Sequence, residues 1–403
     1  MKHTLAHLIR LAGLMVFLLV LALPMGDHLF SLDRTTPINE KRELAPRPTR
    51  PPSLESLDKT FKSIDAYVND RFGFRDWAIK KYYLWKIMYL KVSPQKSAPS
   101  VTDQASGIGY PEVIVGKDGF LFFGKDKEPE NFRGLLQPFS DTELAAYRKE
   151  VATRATFLKQ MGNIPYIYVL IPNKSTAYPD KMPSTYTRLD TPRRYDQIVS
   201  ALQGIDNLYL VDLRPFLEQR RRDGVELVYH KTDTHWTFES AFMGFREIAK
   251  VINARFPEFE VPSQENYESR EIKWATDLAV YIGLQTWELD RDSPLFEPVF
   301  ELTPKAGLLS RQVHPVEWPA RDKYAISFGS FRSPRSKAPS VLMFSDSFGI
   351  HLWPLFREAS SAFEYYRTTE FLATPIKSFQ PNVVVQLTVE RFAIVGVPAP
   401  MVE

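Results

Sequence analysis

The chain has 403 residues, of which 44% are hydrophobic, so it can bury a substantial core in one large domain or two smaller ones. Its formal net charge is only +3, and the basic residues are spread along the chain. Nucleic-acid binding is therefore not expected, because phosphate recognition concentrates Lys and Arg in a patch. Cysteine is absent, which excludes disulfides, thiolate metal sites and thiol nucleophiles. Neither a cofactor nor a metal is expected.

The N-terminus combines a basic flank with an apolar run. Lys2, Arg10 and two histidines precede or border the uncharged residues 11–25. Extended backwards past Arg10, the run reaches about 20 residues, the length that crosses a bilayer. The basic flank predicts a cytoplasmic N-terminus and an exported remainder. We therefore expect a transmembrane signal anchor over residues 1–25. A cleaved signal peptide is the alternative, disfavoured because the run ends around Pro24 without an Ala-x-Ala site.

Three further regions follow the predicted anchor. Residues 26–55 are predicted to be a spacer, since four of the seven residues 46–52 are proline and favour extended polyproline geometry. Residues 56–110 form a helical lead-in, with two helices that are interrupted at residues 70–76. Residues 111–403 form the domain that carries the chemistry.

Short apolar strands alternate with helices along that domain. A hairpin is predicted over 113–123, and Ser140 with Glu143 predicts a capping box that opens a helix to about Met161. The later elements alternate as strand 166–171, helix 192–202, strand 208–213, helix 238–256, strand 341–344, helix 352–359 and strand 383–387. This alternation predicts a parallel sheet with helices on both faces, a three-layer α/β/α architecture. Residues 260–335 are less regular and are predicted to be an insertion near the site.

The segment Val341-Leu-Met-Phe-Ser-Asp-Ser-Phe-Gly349 places a serine where an apolar strand turns into a helix. Such a serine lies at the carboxyl edge of the sheet, where α/β folds bind ligands. The free N–H groups of the next turn can stabilise an oxyanion. Ser347 is therefore a candidate nucleophile. Helix capping by Ser345, Asp346 and Ser347 is the structural alternative, and it is favoured on this segment alone.

A second motif, Thr232-Asp-Thr-His-Trp-Thr237, lies just before a predicted helix. A serine nucleophile needs a base, and that base needs an acceptor that fixes its tautomer. Asp233 and His235 are two residues apart, so on an extended stretch their side chains share one face. His235 is thus a candidate general base, with Asp233 as acceptor of its Nδ1–H. A capping Asp beside a surface His is the alternative.

Lys174 and Tyr178 follow the predicted strand 166–171 and are candidate substrate-binding residues. A loop lysine and a packing tyrosine explain them equally well.

The two motifs together resemble the alginate O-acetyltransferase family of AlgJ and AlgX, whose SGNH hydrolase-like domain carries the Asp-His pair before the serine. The resemblance extends over about residues 55–395 and includes the segments 67–75, 115–123, 172–179, 381–385 and Glu390-Arg391. It implies that Ser347 is the acyl nucleophile, His235 the base and Asp233 the orienting carboxylate. The family usually shows Gly-Asp-Ser-Phe-Ser, whereas this chain has Ser345-Asp-Ser-Phe-Gly349, a swap expected to alter the oxyanion geometry.

The resemblance implies a periplasmic O-acetyltransferase that acts on an exopolysaccharide, alginate or a similar one. Its layout is closest to AlgJ, with the inner membrane and a membrane-bound acyl-donor protein as partners. A polysaccharide acetylesterase with the same residues is the nearest alternative, because only the exclusion of water separates the two reactions. A non-catalytic subunit of an exopolysaccharide complex is the third possibility.

Overall fold

The computed structural model describes residues 2–30, 32, 45–48, 57–90, 110–225, 227–285, 289, 291–305, 311–312 and 327–403. The chain divides into two compact units. One unit consists of Met1–Pro94 and Ala279–Leu284, and the other of Gln95–Leu278 and Gln285–Glu403. The predicted proline-rich spacer, residues 26–55, lies mostly outside the described residues, as does the segment 91–109.

The first unit is helical. Its helices are α1 (Lys2–Phe30), α2 (Leu57–Asp70) and α3 (Arg75–Trp85), and a π-helical turn, Lys86–Leu90, continues α3. The two helices predicted after residue 56, with an interruption near residues 70–76, are thus present. Within the described part of the chain, no helix is both long enough and apolar enough to cross a membrane. The transmembrane anchor predicted for residues 1–25 is therefore not supported.

The second unit alternates strands and helices. Its strands are β1 (Val113–Val115), β2 (Leu121–Phe123), β3 (Tyr166–Ile171), β4 (Leu208–Asp212), β5 (Tyr267–Ile272), β6 (Val299–Pro304), β7 (Arg311–Gln312), β8 (Phe328–Arg332), β9 (Val341–Ser345), β10 (Ala362–Arg367) and β11 (Val383–Val389). Its helices are α4 (Glu128–Arg133), α5 (Asp141–Gln160), α6 (Lys174–Ala177), α7 (Arg194–Leu202), α8 (Arg214–Arg222), α9 (Phe238–Asn253), α10 (Asp277–Tyr281, which continues into the first unit), α11 (Trp353–Ala359), α12 (Ala373–Phe379) and α13 (Glu390–Ala393). The predicted hairpin is β1–β2, and the capping box of Ser140 and Glu143 opens α5.

The central sheet has seven strands in the order β4-β3-β11-β9-β10-β8-β7. The five strands from β4 to β10 are parallel, whereas β8 and β7 are antiparallel to their neighbours. The prediction of a parallel sheet was therefore wrong at one edge, and the sheet is mixed. A parallel neighbour needs a crossover of a dozen or more residues. The link from β8 to β9 is shorter than that, so the two strands run in opposite directions. Because β10 is parallel to β9, β8 is antiparallel to β10.

Alternate residues of each central strand enter separate cores on the two faces of the sheet. In β9, Val341 and Met343 join the core covered by α9 and α11. Leu342 and Phe344 join the other core, which α5, α7 and α12 cover. Burial on both faces explains why the central strands are continuous apolar runs rather than alternating ones. The result is the three-layer α/β/α arrangement that the sequence predicts.

The described residues between 260 and 335 contain more strands than their sequence suggests. β5 and β6 form an antiparallel pair, and β7 and β8 extend the central sheet. Hydrogen bonds from Thr276, Asp277 and Glu297 reach the segment that carries Asp233. The prediction that this region lies near the site is thus consistent with the contacts.

Candidate active site

Three neighbouring parallel strands end at one edge of the sheet and are tied together there. β9 leads to Ser347, β11 to Glu390, and β3 to Asn173. The Asn173 N–H donates to Glu390 Oε2 (2.8 Å), and the Arg391 N–H donates to Asn173 Oδ1 (3.1 Å). This is the carboxyl edge, where parallel α/β sheets bind ligands.

Asp346 pins the turn that presents Ser347. Its Oδ1 accepts the Phe348 N–H (2.9 Å), and its Oδ2 accepts the Val389 N–H at the end of β11 (2.7 Å). Burial raises the pKa of Asp346, although these two backbone donors oppose the shift. Among the described residues, the Ser347 N–H has no hydrogen-bond partner. It therefore remains available at the start of the 3₁₀ turn Ser347–His351, as an oxyanion donor requires.

A continuous chain of hydrogen bonds joins Asp233, His235 and Ser347. The His235 Nδ1 lies 2.6 Å from Asp233 Oδ1, and its Nε2 lies 2.8 Å from Ser347 Oγ. If His235 Nδ1–H donates to the carboxylate, Nε2 is left to accept the Ser347 hydroxyl proton. The His235 backbone N–H also donates to Asp233 Oδ1 (2.9 Å). The three predicted residues thus meet, although 112 residues separate His235 from Ser347.

The turn that carries Asp233 and His235 is fixed at both sides. An isolated bridge pairs Tyr229 with Trp236, and Thr237 accepts the Ser240 N–H as the N-cap of α9. The fully buried Trp236 donates its Nε1–H to the Phe348 carbonyl (3.3 Å). This contact links the His235 turn directly to the Ser347 turn.

Asp233 and His235 stabilise each other's charged form. Burial would raise the pKa of Asp233, but the charge and the hydrogen bond of His235 outweigh it and hold that pKa well below its usual range. Burial likewise opposes the protonated His235, but the Asp233 carboxylate prevails and raises the pKa of His235. His235 is therefore a stronger base than a free imidazole.

A second carboxylate, Asp277, lies beside this pair. Its Oδ2 is 3.7 Å from His235 Nδ1, and its side chain is 32% exposed. Burial and the negative charge of Asp233 raise the pKa of Asp277. Asp277 does not stand out in the sequence, because a Thr-Asp pair at the start of a short helix is ordinary capping chemistry.

Asp233, His235 and Asp277 are close enough to hold a metal ion, with candidate ligand atoms within 4.8 Å of one another. Each group is already engaged. His235 contacts Asp233 and Ser347, and both carboxylates accept backbone N–H groups. A metal would have to displace these bonds, so we do not assign these groups as metal ligands.

The polar atoms of Lys174 and Tyr178 form hydrogen bonds with the backbone near the site. The buried Lys174 ammonium donates to the carbonyls of Leu121 (2.7 Å), Lys231 (2.5 Å) and Asp233 (3.0 Å). Burial lowers the pKa of Lys174 to about 8. The buried Tyr178 hydroxyl accepts the Val228 N–H (2.8 Å). Their role in substrate binding stays a prediction, and in this structure Lys174 holds the Asp233 segment while Tyr178 holds Val228.

Two further histidines surround His235. His230 Nδ1 lies 2.6 Å from Glu297 Oε1, so its acceptor comes from a distant segment that sequence spacing does not reveal. The His351 ring lies 6.0 Å from the His235 ring and 4.1 Å from Phe238. Burial and the neighbouring His235 and His230 lower the pKa of His351 to about 3, so it is neutral. Its Nδ1 has no partner among the described residues.

Comparison with known proteins agrees with this architecture. Residues 113–307 match the family model described as "SGNH hydrolase-like domain, acetyltransferase AlgX". Over 210 residues the chain is 26% identical to the probable alginate O-acetylase AlgJ of Pseudomonas fluorescens. That match covers 52% of this chain and 48% of AlgJ, so the chain spans about half the length of this curated relative.

The structure of Bacillus cereus PatB1 has a similar fold, with a TM-score of 0.51 and 15% sequence identity. The similarity covers 70% of this chain and 97% of PatB1. The residues matched by the family model include Asp233, His235 and Asp277 but end before Ser347. Residues 113–307 therefore match an SGNH hydrolase-like domain, and the comparisons support the resemblance of the two sequence motifs to the AlgJ/AlgX family.

Proposed function

We propose that this protein is an O-acetyltransferase that carries an acetyl group on Ser347 and passes it to a hydroxyl of an exopolysaccharide, alginate or a similar polymer. The observation that carries the proposal is the hydrogen-bonded chain from Asp233 Oδ1 through His235 to Ser347 Oγ. The catalytic roles of these residues are part of the proposal. The match to an acetyltransferase family model supports the reaction type.

In the first half-reaction, His235 Nε2 takes the proton of the Ser347 hydroxyl while Oγ attacks the acetyl carbonyl carbon. The carbonyl π electrons move onto oxygen, and the Ser347 N–H is placed to stabilise the resulting oxyanion. When the tetrahedral intermediate collapses, the bond to the donor oxygen breaks and His235 gives its proton to that oxygen. Ser347 is left acetylated, and His235 is neutral again.

In the second half-reaction, a sugar hydroxyl attacks the acetyl-Ser347 carbonyl and loses its proton to His235 Nε2. Collapse breaks the bond to Ser347 Oγ, which takes the proton back from His235. Water in place of the sugar hydroxyl gives acetate, which is the acetylesterase reaction. The two activities therefore share every step except the identity of the second nucleophile.

Partly exposed aromatic side chains beside the reacting groups suit a carbohydrate acceptor. Phe238 packs on His351 and lies 5.6 Å, edge to face, from Trp274. Both aromatic residues are only partly buried, and His351 belongs to the turn that begins at Ser347. Aromatic side chains with a few well-placed polar groups are typical of small-molecule sites.

The proposal includes the periplasm as the location, the inner membrane as the site of attachment and a separate membrane-bound protein as the acetyl donor. It is supported by the basic flank and the apolar run of residues 2–25, which favour export. Separation of membrane and periplasmic fractions from cells that express the full chain tests the location.

The activity test offers the full-length protein a small acetyl ester as donor, with and without oligosaccharide acceptors. The acceptors are a uronic-acid oligomer and a neutral glucan oligomer. Mass spectrometry detects acetyl groups on sugar, and a coupled assay detects free acetate. Acetylated sugar is the expected product, and it should disappear in Ser347→Ala. When the acceptor is omitted, mass spectrometry of the protein should find an acetyl group on Ser347.

Ser378→Ala is the matched control, because the hydroxyl of this serine donates to the Pro375 carbonyl within α12 (3.2 Å). Release of acetate without any acetylated sugar would identify an esterase. Equal activity of Ser347→Ala and the unaltered protein would overturn the assignment of the nucleophile. No turnover of any ester by the folded protein would favour a non-catalytic subunit.

A further inference from the structure

The segment Thr276–Asp277 grips the turn that carries Asp233 and His235. Asp277 Oδ1 accepts the Thr234 N–H (2.7 Å), and its Oδ2 accepts the Thr234 hydroxyl (2.5 Å). In return, the Asp277 N–H donates to Asp233 Oδ2 (2.8 Å). Thr232 and Thr276 add a bond between their hydroxyls (3.0 Å). Both sides of the turn are therefore held by one short segment from a distant part of the chain.

The hydrogen bond from the Asp277 N–H means that both carboxylate oxygens of Asp233 have a partner. Its Oδ1 faces the His235 Nδ1 and the His235 N–H, and its Oδ2 receives the Asp277 N–H. A carboxylate held at both oxygens cannot rotate away from the imidazole without breaking a bond. The orientation of the His235 ring is thereby fixed through Asp233, as a general base requires.

Asp277 also places a negative charge on the Nδ1 side of His235, with Oδ2 at 3.7 Å. Several charged and titratable groups lie around Asp233 and His235. They are Asp277, Asp346, His230, His351, Arg391 and Lys174. Asp233 and Asp277 favour the protonated His235, and Arg391 opposes it. Asp277 is therefore the second source of attraction for the imidazolium.

We propose that Asp277 is a positioning residue for His235, which braces Thr234 and Asp233 by hydrogen bonds and stabilises the protonated imidazole by its charge. This inference deepens the proposed function and rests on it, because the orientation of His235 affects a reaction only if His235 is the base. Asp277 itself does not touch the reacting atoms.

Asp277→Asn tests the charge separately from the brace. The amide oxygen can still accept the Thr234 N–H, and the amide nitrogen can donate to the Thr234 hydroxyl, so the geometry is kept while the charge is lost. Loss of a neighbouring negative charge destabilises the imidazolium, so the pKa of His235 should fall by about one unit. NMR titration of the labelled His235 ring in the full-length protein measures this shift without any substrate.

The kcat/KM profile of ester turnover gives the second readout. Its acidic limb should move to lower pH by the same amount in Asp277→Asn. Glu271→Gln is the matched control, since it removes one carboxylate from the preceding strand β5, at an exposed ion pair with Arg291. The pKa of His235 should be unchanged in the control. A purely structural Asp277 would lower activity at all pH values without moving the limb.

Thr234→Ala provides an independent variant that keeps the charge and removes one hydrogen bond of the brace. It should lower kcat about tenfold while the pKa of His235 stays in place, because the misplaced base loses alignment with Ser347. An unchanged His235 pKa in Asp277→Asn would overturn the charge role, and an unchanged kcat in Thr234→Ala would overturn the brace. If the NMR shift appears and the ester is hydrolysed but no acetyl group reaches sugar, the positioning role of Asp277 stands and the acetyl transfer of the proposed function fails.

Discussion

The side chain of Ser345 fills the space that a Cβ atom on Gly349 would occupy. An ideal Cβ at position 349 would lie 2.6 Å from Ser345 Cβ and 2.9 Å from Trp353 Nε1, closer than real Cβ atoms approach. The Ser345 hydroxyl accepts a hydrogen bond from Trp353 Nε1 (3.2 Å). The strand end and the turn therefore have room for one hydroxymethyl group between them. The family pattern Gly-Asp-Ser-Phe-Ser carries a serine at the position of Gly349 and a glycine at the position of Ser345. This chain therefore keeps one hydroxymethyl group in the shared space but carries it on residue 345.

Gly349→Ser should therefore destabilise the protein, because two side chains would compete for the same space. Overpacking of this kind costs about 1–3 kcal/mol of unfolding free energy. Addition of Ser345→Gly should restore most of that loss, since the double variant again carries one hydroxymethyl group. Urea unfolding of the two single variants and the double variant gives the coupling free energy between the positions.

Gly396→Ser serves as the control for the glycine substitution, because nothing lies within 4 Å of a Cβ at that position. It should leave the unfolding free energy unchanged. Strictly additive effects of Ser345→Gly and Gly349→Ser would show that the two positions do not share the space.

Lys174→Met should lower both stability and activity. The substitution keeps an unbranched side chain of similar length but leaves the carbonyls of Leu121, Lys231 and Asp233 without their charged donor. We expect a loss of about 2–4 kcal/mol in unfolding free energy. Because the Asp233 segment loosens, kcat should fall more than KM changes. Thermal or urea unfolding and steady-state kinetics measure the two effects.

Lys181→Met is the comparison for the Lys174 variant, since Lys181 forms an ion pair with the exposed Asp118. Such surface pairs contribute about 0–1 kcal/mol, so little change in stability is expected. A Lys174→Met protein of normal stability and kcat that binds acceptor weakly would support the predicted substrate-binding role of Lys174.

Ester turnover should rise with pH through the pKa of His235, because only neutral His235 can take the Ser347 proton. Burial opposes the shift, but the Asp233 carboxylate raises that pKa above 6.5, so the midpoint of the acidic limb should lie above this value. Asp233→Asn should move the limb to lower pH and reduce kcat by about 10⁴-fold, since the amide no longer orients the imidazole. The profile of kcat/KM from roughly pH 5 to pH 9 reports the limb. Turnover that is independent of pH over this range would contradict His235 as the base.

Local sequence predicts about half of the elements of the second unit, and the central strand β10 is among those that it misses. The apolar runs of β3, β9 and β11 and the capping box at Ser140 depend on short-range patterns, and the structure has each of them within a few residues. The antiparallel strands β7 and β8 were missed, because a two-residue strand and a short edge strand have no distinctive periodicity. The direction of β8 depends on its pairing with β10, which follows β9 in the sequence, and β7 pairs in turn with β8.

The site divides in a similar way. Asp233, His235 and Ser347 were identified because strand-to-helix turns and i, i+2 spacing are local features, and the structure brings their side chains together. Lys174 was assigned to the pocket because it follows a strand, yet its side chain turns inward to three carbonyls. Its direction depends on the β1–β2 hairpin and the Asp233 segment, which no local pattern places.

The sequence by itself determined the three-layer architecture, the positions of the two motifs and the candidate residues Asp233, His235 and Ser347, because hydrophobic periodicity and capping are local. Only the tertiary structure decided what surrounds these residues. The hydrogen bonds of Asp277 with Thr234 and of His230 with Glu297 join segments that meet only when the chain folds. Side-chain direction and burial, which set the pKa of His235, follow from those contacts.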